Sequence, residues 1–114
     1  EIYKISFQLS VDIYFLSLKL PNSEKYETAN QIRRSSQSIK DNIAEGYGRR
    51  NYKNDFIKFL VYSRASLLES KSQSEFLDAT HPDTGWKEIS IRLKDLEFRL
   101  NHFISYVQKQ WKTK

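Results

Sequence analysis

Trp86-Lys87-Glu88-Ile89-Ser90-Ile91-Arg92-Leu93-Lys94-Asp95-Leu96-Glu97-Phe98-Arg99-Leu100, continued by Phe103, Val107 and Trp111, decides the fold class. Ile89, Leu93, Leu96, Leu100, Phe103, Val107 and Trp111 recur at intervals of three and four, which keeps them on one side of a 3.6-residue helix. Lys87, Arg92, Lys94, Arg99 and Lys109 fall off that stripe. The spacing predicts a helix over 86–112, about 40 Å long at 1.5 Å per residue. His81-Pro82 breaks the chain just before it, and Asp83 or Thr84 is the expected cap.

Working backwards, a helix is expected over 52–78. Phe56, Phe59, Leu60, Ser63, Leu67, Ser70, Ser74 and Leu77 form one stripe, and Ile57, Val61, Ala65 and Leu68 a second, rotated from the first. A third helix is expected over 24–45. It begins after Leu20-Pro21-Asn22-Ser23, turns Tyr26, Ala29, Ile32, Ser36, Ile39 and Ile43 inward, and ends at Gly46 as a left-handed terminator.

The first segment reads two ways. Ile5, Phe7, Leu9, Val11 and Ile13 alternate with polar residues as in a strand, while Ile2, Ile5, Leu9, Ile13, Leu16 and Leu20 fit a helical stripe. A lone strand would have no partner, so a helix over 2–19 is expected. On it Phe7, Val11, Tyr14 and Leu18 lie opposite the core stripe. Four antiparallel helices with short connections give a single all-α up-down four-helix bundle. One side of each helix is then wet, so the second stripes on the helices over 2–19 and 52–78 predict self-association through Phe7, Val11, Tyr14, Leu18, Ile57, Val61 and Leu68. Scattered surface apolar residues are the plainer alternative.

The composition agrees. The chain has 114 residues, 39% hydrophobic and 29% charged, with only three glycines and two prolines, which suits long helices rather than many turns. No uncharged stretch approaches the ~20 residues of a membrane helix. No basic-then-apolar leader opens the sequence, and a cytoplasmic location is the expectation. The absence of cysteine excludes disulfides and thiolate metal sites. His81 and His102 are far apart, Glu-x-x-His pairs are lacking, and Gly46-Tyr47-Gly48 lacks the third glycine and preceding strand of a dinucleotide site. No cofactor or metal is expected, and the chain does not read as an enzyme.

The net charge of +5 is concentrated. Arg33, Arg34, Lys40, Arg49, Arg50, Lys53, Lys58 and Arg64 meet only Asp41, Glu45 and Asp55 between positions 33 and 64, so this window holds the whole excess. Localised positive charge draws polyanions, arginine adds bidentate phosphate contacts, and Tyr47 and Tyr52 among the bases could stack on unpaired bases. A solvated helix face with arginines paired to Asp41, Glu45 or Asp55 remains the alternative.

Gln31-Ile32-Arg33-Arg34-Ser35-Ser36-Gln37-Ser38-Ile39, then Asn42-Ile43-Ala44-Glu45-Gly46-Tyr47-Gly48-Arg49, resembles the signature of the bacterial four-helix-bundle proteins known as 23S ribosomal RNA intervening-sequence proteins. Ile2-Tyr3, Ile13-Tyr14, Leu20-Pro21, Glu24, Tyr26, Asp55-Phe56, Phe59-Leu60 and Ser66-Leu67 with Glu69 continue the similarity. Thr28, Ala65 and Ser35-Ser36 depart from the usual leucine, glycine and alanines. The resemblance implies a ring-shaped homopentamer of bundles associated with ribosomal RNA. A related branch, the accessory variability determinants, implies nucleic acid and a reverse transcriptase as partners. By that analogy Arg33, Arg34, Arg49 and Arg50, with Lys40, Tyr47 and Lys53 beside them, are the positions assigned to RNA. Arg33 and Arg34 point about 100° apart, so one of them is expected to brace the bundle or a subunit contact instead, through Asp41, Glu45 or a neighbour's acid. A protein-interaction scaffold with a secondary basic patch is the alternative function.

Overall fold

The computed structural model describes residues 1–22 and 27–113. Among them are four long helices, α1 (Ile2–Ser17), α2 (Thr28–Gly48), α3 (Lys53–Thr80) and α4 (Trp86–Gln110). Each packs antiparallel on its neighbours in chain order, and α1 closes the square against α4, giving a rod with principal extents of 51, 22 and 18 Å. Tyr26, read as an inward position, lies outside the described residues, as does the expected start of the second helix.

The first segment is helical, because its helical stripe is what the core takes. Leu9 and Ile13 are fully buried from α1, with Leu20 in the turn that follows. Ala29, Ile32, Ile39 and Ile43 come from α2, and Phe56, Leu60, Leu67 and Leu77 from α3. From α4 come Trp86, Ile89, Leu93, Leu96, Leu100, Ile104 and Val107. Phe103 is half-buried at the stripe's edge, and Trp111 lies one residue beyond the helix in extended backbone.

Between α2 and α3 the interface is serine-rich. Ser35, Ser36, Ser63 and Ser70 are buried, and such small side chains let the two backbones approach closely. Ser63 donates to the carbonyl of Ile39 (2.8 Å), Ser66 donates to Ser38 (2.9 Å), and the Ser35 and Ser70 hydroxyls lie 2.8 Å apart. Ser35 also donates to Gln73 (2.7 Å). No buried side-chain nitrogen or oxygen among the described residues lacks a partner, so these hydroxyls avoid the penalty of unpaired burial.

Two expected helix ends are corrected. Gly46 does not terminate α2, which runs on to Gly48 with Arg49 as its cap. Gly46 is buried, and a Cβ there would stand 3.2 Å from the Cβ of Phe59. Its lack of a side chain serves the contact with α3, not a left-handed turn. At α4 neither Asp83 nor Thr84 caps the helix. The N-cap is Gly85, left-handed with φ 113°, while the Thr84 hydroxyl is spent on the carbonyl of His81 within the turn.

Candidate functional site

The turn between α2 and α3 carries Arg49 and Arg50. Arg49 lies between two carboxylates, donating to Glu45 at 2.9 Å and approaching Asp55 at 3.5 Å, with its guanidinium 4.8 Å from the Phe59 ring centroid. Its charge is locally offset. Arg50 donates to the carbonyl of Tyr47 (3.0 Å) and lies over the Tyr47 ring at 4.3 Å, with its backbone and ring neighbours leaving the head group exposed. Lys53 follows at the start of α3, half-buried.

Arg33 and Arg34 are elsewhere. Sixteen residues of helix separate Arg33 from Arg49, about 24 Å at 1.5 Å per residue. Arg33 bridges α2 to α1, donating to Ser17 of α1 (2.7 Å) and to Asn30 on its own helix (2.6 Å), with the Tyr14 ring 5.9 Å away. It is the bracing member of the pair, and it braces through a serine rather than through an acid. Arg34 is exposed. Lys40 pairs with Asp41 at 2.7 Å and stands 5.9 Å from the Phe7 ring. The residues assigned to RNA from sequence are therefore divided between the turn and the flank of α2.

Topology gathers other cations that the sequence scatters. Among the described residues at the pole holding the α2–α3 turn, the turns, chain ends and first or last six residues of each helix contain Lys4, Arg49, Arg50, Lys53, Lys58, Lys109 and Lys112 against Glu1, Glu45 and Asp55. The same count at the opposite pole, over the described residues, gives Lys19, Arg33 and Lys87 against Asp12, Glu27, Glu75, Asp78, Asp83 and Glu88. The rod is polarised along its length, positive at one end and negative at the other. Lys4, Lys109 and Lys112 were outside the basic window, and only an antiparallel register could reveal that they join it.

An aromatic cluster underlies the basic pole. Phe56 is buried and takes the edges of Tyr47, Phe103 and Trp111 at centroid separations of 6.4, 5.9 and 5.1 Å. Trp111 Nε1 donates to the carbonyl of Arg50 (2.9 Å), fastening the C-terminal segment to the turn. Beside this cluster opens a groove of about 580 Å³, lined by Glu1, Ile2, Tyr3, Ile43, Ala44, Tyr47, Phe56 and Phe103.

Of the expected interface residues, Phe7, Tyr14, Leu18 and Leu68 are exposed, and Val11, Ile57 and Val61 are half-buried. Ile57 packs against the monomer's own core. Phe7, Val11 and Tyr14 line a shallow groove between α1 and α2 with Gln37 and Lys40. Exposed Ile91, Phe98 and Tyr106 on α4 were not foreseen. Among the described residues no three metal-ligating side chains gather, and no helix is long and apolar enough to cross a membrane. His81 Nδ1 instead lies 2.9 Å from the Thr80 hydroxyl.

Comparison with known proteins adds two findings. The family model described as 23S rRNA-intervening sequence protein matches residues 1–83. A crystal structure of a protein of unknown function from the S23 ribosomal protein family of Bacteroides thetaiotaomicron superposes with a TM-score of 0.79 at 22% identity, covering 91% of this chain and 98% of that one. At that identity the likeness is one of fold. No curated protein matches the sequence.

Proposed function

The chain belongs to the 23S rRNA-intervening sequence protein family, and from that premise we propose that it is a non-catalytic, self-associating bundle that binds RNA through its basic pole. The carrying observation is the collection, among the described residues, of seven cations against three carboxylates at one end of the rod. A polyanion approaching that end meets a favourable field, and the reversed charge at the far end orients it. Arg50, Lys53, Lys58, Lys109 and Lys112 make the phosphate contacts. Arg33 is assigned to bracing α1 on α2. Arg34 and Lys40 extend the positive surface along α2. Association into a ring, through the apolar residues of α1 and α3, would repeat the pole around an axis and multiply its attraction for RNA.

The test is a titration of RNA across salt with the oligomer followed by light scattering. The log of the affinity is expected to fall linearly with log salt. Arg50→Glu with Lys53→Glu is expected to weaken binding while the assembly keeps its mass. Wild-type protein that ignores RNA at ~50 mM salt, where counterion release favours binding, overturns the reading.

The exposed rings beside the α1–α2 groove favour a second reading, a scaffold that recruits a protein such as a reverse transcriptase. A stoichiometric partner that survives nuclease treatment would support it.

A further inference from the structure

The groove at the basic pole has a composition the phosphate contacts do not use. Its floor is apolar, made by Ile43, Phe56 and half-buried Phe103, and its volume lies within the range of small-ligand sites. Its mouth carries two exposed tyrosines from different helices, Tyr3 of α1 and Tyr47 of α2. Small Ala44 leaves space between them, and the Arg50 guanidinium sits against Tyr47 at 4.3 Å. Lys4 follows Tyr3 directly. Among the described residues the one charged group lining the groove is Glu1, while Arg50 stands outside it against Tyr47 and Lys4 follows Tyr3 in the chain. An apolar slot walled by phenol rings, with these two cations beside its tyrosines, complements a flat aromatic group whose charged backbone runs past Arg50 rather than past Glu1.

We propose that this groove takes an unpaired base of single-stranded RNA, an inference that rests on the RNA-binding reading above. The faces of a paired base are covered by its stacked neighbours, whereas an unpaired base offers a free face to a ring. With the base among Tyr3, Tyr47 and Phe103, its flanking phosphates fall toward Arg50 and Lys4. The pole thereby favours single strands, whereas a field of lysines and arginines alone responds to phosphate density and favours a duplex. Burial of a second copy's side chain in the same groove is the competing occupancy.

The experiment measures affinity of the full chain for three probes of equal length: a uridine homopolymer, an RNA duplex and an abasic ribose-phosphate strand. The uridine strand is expected to bind at least about fivefold more tightly than either of the others, the effect of stacking a base on aromatic rings. Tyr47→Ala and Ala44→Phe, both at exposed positions, should erase that preference and leave the salt slope unchanged, while Tyr47→Phe retains it. Circular dichroism on each variant confirms the fold. Equal binding of all three probes by the wild type overturns the inference and leaves the RNA reading standing. So does a Tyr47→Ala protein that loses self-association but keeps its strand preference. Failure to bind any probe removes both.

Discussion

The indole Nε1 of Trp111 donates a 2.9 Å hydrogen bond to the main-chain carbonyl of Arg50, joining the last residues of the chain to the turn between α2 and α3. The same indole packs edge-on against buried Phe56 at 5.1 Å. One side chain thus holds the C-terminal lysines, the arginine turn and the aromatic floor of the groove in a fixed relation.

Trp111→Phe separates these roles, since it retains a ring against Phe56 and removes the donor. A loss of about 1 kcal/mol in denaturant unfolding is expected. Amide exchange in the 49–52 turn should accelerate more than exchange in the middle of α3. Unchanged exchange there would show that the turn does not depend on the bond.

Gly46 and Gly48 stand two residues apart on α2 and should respond to alanine with opposite sign. At Gly46 a Cβ would meet the Phe59 Cβ at 3.2 Å and Phe56 atoms at 3.4 Å, so α2 and α3 must move apart. Overpacking exceeds the gain in helix propensity there, and Gly46→Ala should destabilise by about 1 kcal/mol. Nothing lies within 4 Å of a Cβ at Gly48, and its φ is not in the left-handed region. Gly48→Ala should therefore stabilise by about 0.5 kcal/mol. Thermal unfolding of both variants decides it.

These glycines show where sequence and structure part. The stripe Ile89, Leu93, Leu96, Leu100 was legible because each residue's burial follows from helical period alone. The same holds for Leu9 and Ile13, whose helical register outweighed the alternating pattern of Ile5 to Ile13. Gly46 was misread because a terminator and a close-contact glycine look alike until the opposing Phe59 is in place. Charge was half legible. Arg49 and Arg50 are adjacent in sequence, but the contribution of Lys4, Lys109 and Lys112 depends on which helix ends share a pole, and a window count cannot express that. That one of Arg33 and Arg34 braces a contact was legible from their 100° separation, but which one, and through what, follows only from Ser17 of α1, 2.7 Å from the Arg33 Nη1.

Lys71 of α3 and Glu97 of α4 form a 2.9 Å ion pair with both side chains about one-quarter exposed. The hydrogen bond to Glu97 raises the Lys71 ammonium above its ordinary 10.5, against an opposing effect of burial, with Glu97 and Glu75 adding attraction. A lysine whose folded value is raised contributes stability that is complete below its unfolded value and disappears as pH climbs through the folded one. Lys71→Met should cost about 0.5–1 kcal/mol near neutrality. That difference should shrink in strongly alkaline solution, as followed by urea unfolding across pH. A difference that persists there would place the loss in packing rather than charge.

Lys109 and Lys112 provide the most direct check that topology, not the local window, builds the basic pole. Neither has a side-chain acid partner among the described residues, and both are exposed at the end of the rod that holds Arg50 and Lys53. If both contact phosphate, Lys109→Gln with Lys112→Gln should lower the slope of log affinity against log salt by about 2, close to one per contact removed. Lys19→Gln with Lys87→Gln removes the same charge from the opposite pole and should leave the slope as it was. Both double variants keep helix-compatible residues, so thermal unfolding should hardly distinguish them. Equal slopes in the two would mean that RNA responds to net charge alone, and the polarity of the bundle would then have no part in binding.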